Sequence, residues 1–261
     1  MIGFDHGQPI PEWLVDVAAT QPYPLVFATV SGAHLYGFGS VDSDVDLRGV
    51  HLLPLAQVVG LEHGPETLQH TGVTEGVELD LVTHDLLKFN RLLLRPNGYV
   101  LEQLLSPLVV TSSEVHREML ALAPSLITRH HAHHYLGFAA TQWRLFERSR
   151  EVKPLLYTLR VLLTGIHLMR TGEVVCDLRR LWAGHDLPYA PELIEVKRTA
   201  EHVGLDGVVG PDRLAADVTR LRSTLEEAAA ASHLPERPGA HRALHDLTVQ
   251  TRLATGSGHD G

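Results

Sequence analysis

The chain has 261 residues, enough for one large domain or two smaller ones, each with its own core. Hydrophobic residues make up 44% and charged residues 20%, the balance of an ordinary globular protein rather than a disordered or fibrous one. A net charge of −9, from 22 basic against 31 acidic residues, argues against a protein that coats nucleic acid non-specifically.

The single cysteine, Cys176, excludes an internal disulfide and a cysteine-rich metal site, and points to a reducing compartment. Residues Met1 to Gln8 lack the basic and apolar regions of a signal peptide. No stretch reaches the ~18 uncharged apolar residues of a membrane span. The expectation is a cytoplasmic protein with no membrane partner.

In chain order, Pro11 to Ala18 reads as a short first helix, broken by Gln21-Pro22-Tyr23-Pro24. Leu25 to Val30 is a continuous apolar run, the pattern of a strand buried on both faces. After a glycine turn, Asp44 to Leu53 is the next strand, ended by Pro54, and Leu55 to Leu61 is a short helix. Glu66 to Thr71 and Val77 to Thr83 read as two further strands around Gly72 and Gly76. Thr83-His84-Asp85 caps an amphipathic helix closed by Pro96 and Gly98, Val100 to Leu105 continues as a helical piece, and Pro107 to Thr111 reads as a last edge strand.

From Ser112 onward apolar residues recur at helical spacing, with breaks at Gly204 to Pro211 and Pro235 to Pro238 and a helix over Ala215 to Ala231. The expected division is a sheet-bearing domain over 1–111, a helical bundle over 112–250 and a flexible tail over 251–261. The fold class expected is α+β, α/β-like in its N-terminal part, with a small mixed sheet followed by an all-helical domain.

The run from Val30 to Gly49 carries the most chemistry. It turns through glycines and delivers Asp44 and Asp46 into an apolar strand. Residues i and i+2 of a strand point to the same face, so two carboxylates stand side by side. Their mutual repulsion is relieved by a shared proton or a bound cation. A glycine turn offering backbone N–H groups just upstream favours the cation, with phosphate bound to it.

Glycine at 32, ten residues from His34 to Ser43, and then Asp44-Val45-Asp46 resemble the nucleotidyltransferases of the DNA polymerase β superfamily. More narrowly, Ser31 to Gly37 together with Ser43 to Gly49 is similar to the nucleotidyltransferases associated with RNA repair. Asn97 to Pro107 and Lys153 to Arg160 with Thr171-Gly172 extend the likeness over roughly Val26 to Leu181. The resemblance implies transfer of NMP from an NTP to an acceptor hydroxyl, with Mg²⁺ or Mn²⁺ as cofactor and an RNA 3′ end as the leading acceptor.

It also implies roles. Asp44 and Asp46 would hold metal, and a third carboxylate would come from the strand Gly76 to Val82, Asp80 first and Glu78 in reserve. Ser31, Gly32 and Ala33 would bind the nucleotide. Ala33 stands where the family often has serine, which leaves phosphate to the backbone N–H groups of the turn and to Ser31 or Ser40 as hydroxyls. Arg48, two residues past Asp46, either reaches phosphate or pairs with the carboxylates. Lys153 and Arg160 lie two helical turns apart on one face with Tyr157 between them, a face able to close over a nucleotide.

The run Arg129 to His134 invites a zinc reading, but the Glu of a metalloprotease motif is missing, and a helix start with partly solvated histidines explains it better. Two other functions fit the same residues. One is transfer to a protein hydroxyl or a small molecule, as in antitoxin-like or antibiotic-modifying enzymes, which the acidic balance favours. The other is a non-catalytic nucleotide-binding subunit, which Ala33 favours. Base preference and oligomeric state are written in no motif of this chain.

Overall fold

The computed structural model describes residues 9–40, 42–199, 204–205 and 207–256. Its elements are α1 (Glu12–Ala19), β1 (Leu25–Val30), α2 (Gly32–Leu35), β2 (Val45–His51), α3 (Ala56–Val59), β3 (Thr67–Thr74), β4 (Val77–Asp85), α4 (Leu86–Leu93), α5 (Gly98–Leu104), β5 (Val109–Ser112), α6 (Glu114–Leu122), α7 (His131–Ser149), α8 (Val152–Thr171), α9 (Leu178–Leu181), α10 (Ala190–Thr199), α11 (Pro211–Ala231) and α12 (His241–Gly256). The class is α+β. Among the described residues no helix is long and apolar enough to cross a membrane.

The chain forms two compact units. Of the described residues, one unit comprises 9–31, 44–126 and 237–256; the other comprises those between 32 and 43 and between 127 and 236. This partition differs from the expected 1–111 and 112–250. Residues Met119, Ala123 and Leu126, then Ala240, Leu244 and Leu247, bury themselves in one core with Phe27, Val50, Leu86 and Phe89. Helix periodicity announces an apolar face without saying what covers it. Helix α12 continues to Gly256, through part of the stretch expected as a tail; residues 257–261 lie outside the described residues.

The sheet unit holds five strands in the order β3-β4-β2-β1-β5. β1 pairs antiparallel with both β2 and β5, and β3 antiparallel with β4. β2 and β4 run parallel, which makes the sheet mixed. β1 sits inside the sheet, in keeping with its unbroken apolar run, and β5 forms an edge as its short sequence predicts. The β3-β4 hairpin turns on Glu75 (φ 52°) and Gly76 (φ +76°), the two positive angles of a type I′ turn.

Asp85 ends β4 and caps α4, its Oδ2 accepting from the Leu87 N–H at 2.9 Å. Its Oδ1 accepts from the Leu53 N–H at 3.2 Å and is paired with Arg252 of α12. The core is then filled by rings: Phe27 stacks on His116 at 4.3 Å and meets Phe89 edge-on at 5.5 Å.

The helical unit is organised on α8. Fifteen of its 20 residues are buried, so it is covered nearly all round rather than along one stripe. At Gly165 an added Cβ would lie 2.9 Å from Leu225 and 3.0 Å from Tyr135, so glycine lets α11 and α7 approach closely. His131 opens α7 fully buried, where a partly solvated histidine was expected. Its Nδ1 accepts from the Thr128 N–H at 3.1 Å, and burial lowers its pKa to about 4.

Candidate active site

In the sheet unit, β2 begins at Val45, so Asp44 stands one residue before the strand, half-buried. The expected strand start at Asp44 is therefore early by one residue. Asp46 lies in β2, directly in register with Asp80 of β4. Parallel pairing puts these two carboxylates on adjacent strands and the same face. Glu78 shares that face of β4 by alternation, but it is exposed and opposite Val73 of β3.

The cation between Asp46 and Asp80 is Arg48. Its Nη2 donates to Asp46 Oδ1 at 2.5 Å and to Asp80 Oδ2 at 2.8 Å. Nη1 donates to the carbonyls of Asp80 at 2.5 Å and Leu47 at 3.1 Å. Nε donates to the hydroxyl of Tyr99, at the start of α5, at 2.8 Å. Of the two roles open to Arg48, this is the ion pair. Burial by itself would lower the arginine's pKa, but Tyr99, Asp46 and Asp80 outweigh it and hold the value above the ordinary one.

Ser31 is buried at the end of β1, and its N–H donates to the Asp46 carbonyl at 2.8 Å. Its Oγ is buried without a hydrogen-bond partner, and so is Asp80 Oδ1. Two neighbouring carboxylates with an orphaned buried oxygen form an all-oxygen donor set, the kind that hard divalent cations take. The pair fits such an ion. Among the described residues, however, no three His, Cys, Asp or Glu side chains are grouped to hold one. Asp46 and Asp80 are brought together with Arg48 seated between them, and Asp44 stands just ahead of the strand.

An apolar cavity of about 420 Å³ in this unit, between α3, α4 and α12, is lined by Val58, Leu87, Leu244 and Leu253 among others. None of the expected site residues lines it.

In the helical unit, Gly32 and Ala33 open α2, and both are buried, Ala33 with its methyl group covered. Tyr36 and Phe38 follow, and Tyr157 of α8 meets them edge-on at 5.5 and 5.4 Å. Arg160 is 2% exposed, with its guanidinium 3.7 Å from the centre of the Tyr36 ring. Lys153 is half-buried two turns before Arg160. The α8 face read from spacing thus packs on the glycine-rich segment through aromatic rings, and Arg160 is inside that packing rather than on an open surface.

Three features of the site went unread in the sequence. Tyr99 lies within the stretch Asn97 to Pro107, but no local pattern ties it to Arg48. Asp177 and Arg179 pack against Gly37, where φ is +83° and a Cβ would stand 2.1 Å from Asp177 Oδ1. Tyr36 accepts from the Leu178 N–H at 3.0 Å, so α9 holds the segment from outside. Lys197, fully buried, donates from Nζ to Ser40 Oγ at 2.8 Å. A lysine one turn past Leu193 and Ile194, on the apolar face of α10, was its only signal.

Comparison with known proteins gives three results. The model of the RNA repair pathway DNA polymerase beta family matches residues 7–250. An uncharacterized protein of Methanocaldococcus jannaschii is 33% identical over 159 residues, 58% of this chain and 63% of that protein, so the match spans under two thirds of the relative. The crystal structure of a nucleotidyltransferase-like protein from Exiguobacterium sibiricum aligns over 83% of this chain and 71% of its own, at 14% identity and a TM-score of 0.31. That structural match is too distant to establish a shared arrangement.

Proposed function

We propose, since this chain belongs to the RNA repair pathway DNA polymerase beta family, that it transfers NMP from a nucleoside triphosphate to an acceptor hydroxyl at the end of an RNA, in a Mg²⁺-dependent reaction. The observation that carries the reading is the register of Asp46 on Asp80, two carboxylates sharing one cation on adjacent parallel strands. These two residues, with Asp44 just before the strand, are the proposed metal holders. A divalent ion held there would supply charge stabilisation to the attacking oxygen and the departing pyrophosphate.

The rest of the chemistry belongs to the chain. In the structure Arg48 pairs with both carboxylates, which ties β2 to β4. The Ser31 N–H ties the end of β1 to the Asp46 carbonyl, which fixes the height of the aspartate on its strand. Phosphate binding by Gly32 and Ala33, and nucleotide contacts from Lys153, Tyr157 and Arg160, rest on the family pattern. A cytoplasmic setting belongs to the same proposal, supported by the chain's one cysteine, Cys176, which is buried.

The test is transfer of labelled NMP to RNA oligonucleotides by the full chain and by Asp46→Asn and Asp44→Asn. The expected loss is about 100-fold or more, the several kcal/mol that metal-held charge supplies to such a transition state. Transfer that persists unchanged in both variants would falsify the assignment. The net charge of −9 favours a second reading, transfer to a protein hydroxyl or a small molecule, because a polynucleotide acceptor is normally met by a basic groove. Label appearing on protein or small-molecule acceptors, and on no RNA, would select it.

A further inference from the structure

We infer that Tyr99 is a positioning residue for Arg48, and that the two together form a built-in counter-cation which a divalent ion must displace to reach Asp46 and Asp80. The inference rests on the metal reading of those carboxylates given above, and it concerns how the site is held before metal arrives.

The geometry is complete in its donors. A guanidinium has five N–H groups in a rigid fork. Here one goes to the Tyr99 hydroxyl, two to the carbonyls of Leu47 and Asp80, and two to the carboxylates of Asp46 and Asp80. All five are committed. Arg48 is only 7% exposed, so this arrangement is sheltered from water and its charge is not screened away.

One positive group is thus shared by the two carboxylates. Nη2 touches an oxygen of each, the position from which a single ion would bridge them. Asp80 Oδ1 is left buried with no partner, an acceptor that the arginine does not reach. A divalent ion held by these two carboxylates would meet the positive charge of Nη2 beside them, and like-charge repulsion would oppose holding both.

Tyr99 decides how firmly the fork stays. Its hydroxyl is the side-chain partner of Arg48 that is not a carboxylate, and it binds Nε, the root of the fork. Tyr99 is 38% exposed and lies on α5, an element separate from β2 and β4. Removing the hydroxyl loosens the guanidinium without changing any charge at the site.

The experiment is Mn²⁺ binding to the full chain without nucleotide, followed by electron paramagnetic resonance, in wild type, Tyr99→Phe, Arg48→Gln, Arg48→Lys and Asp46→Asn. Asp46→Asn defines the site by losing the binding. Tyr99→Phe is expected to bind Mn²⁺ about tenfold more tightly, the worth of one hydrogen bond to a charged group. Arg48→Gln should gain more than Tyr99→Phe, with Arg48→Lys in between, since an ammonium keeps the charge but cannot bridge as the fork does. Because Tyr99→Phe preserves charge, its gain separates release of the fork from simple removal of a positive field.

Binding that depends on Asp46 but is equal in wild type, Tyr99→Phe and Arg48→Gln overturns the inference and leaves the metal reading standing. Weaker binding in Arg48→Gln, with the variant folded by circular dichroism, overturns it as well. No Asp46-dependent binding in any variant removes the metal reading and the inference together.

Discussion

Replacing Arg252 by Met tests whether α12 is fastened to the sheet unit by one buried ion pair. The Arg252 and Asp85 side chains are 6% and 4% exposed. Arg252 Nη2 pairs with Asp85 Oδ1, and Nη1 donates to the Leu53 carbonyl at 2.5 Å. The methionine removes both, leaving the Asp85 carboxylate buried with only the Leu53 and Leu87 N–H groups. Breaking a buried pair from one side costs about 3–5 kcal/mol, most of it the stranded charge. At roughly 2–4 °C per kcal/mol for a chain of this size, the melting temperature should fall by about 6–20 °C.

The second arm adds Asp85→Asn to Arg252→Met. An amide keeps an acceptor for the cap of α4 and carries no charge, so the double variant should recover about 1.5 kcal/mol or more relative to the sum of the single losses. The assay is thermal denaturation by circular dichroism at pH 7 for all four members of the cycle. A loss under about 1 kcal/mol in Arg252→Met, or additive losses, would show that the pair does not fasten the helix.

The remaining predictions concern the helical unit. Burial holds His131 at about 4, well below the 6.5 of an exposed histidine. A base whose pKa is lowered by folding contributes stability above pH 6.5 and loses it as pH falls towards 4. The loss at pH 4 is on the order of 3 kcal/mol. His131→Asn keeps an acceptor for the Thr128 N–H without titrating, so its melting temperature should fall less between pH 7 and pH 4.5; identical pH profiles would refute the assignment. Gly37→Ala forces a side chain into positive φ and onto Asp177, and should destabilise the unit by about 2 kcal/mol or more, read by urea denaturation. An unchanged midpoint would mean that the segment repacks freely around Asp177.

Much of this was legible locally. The apolar run of β1, the alternation of β4 and the aspartate before α4 each carry their cause within a few residues, because strand period, helix period and capping are short-range physics. Asp44 and Asp46 were visible as a metal-type motif for the same reason; the family resemblance asked for a third carboxylate, and alternation on β4 offered both Asp80 and Glu78 on one face.

The sequence by itself determined which elements form, which faces are apolar and which carboxylates alternate onto a common side. Only the tertiary structure decided that Asp46 stands beside Asp80, since parallel register between β2 and β4 depends on the whole sheet closing. It alone turned Arg48 inward to bridge them, brought Tyr99 from α5 to hold it, and sent α12 back to Asp85. It also assigned residues 32–43 to the helical unit, where Arg160, Asp177 and Lys197 pack against them. Those pairings join residues far apart in the chain, and no local period encodes which distant charge a buried side chain will meet.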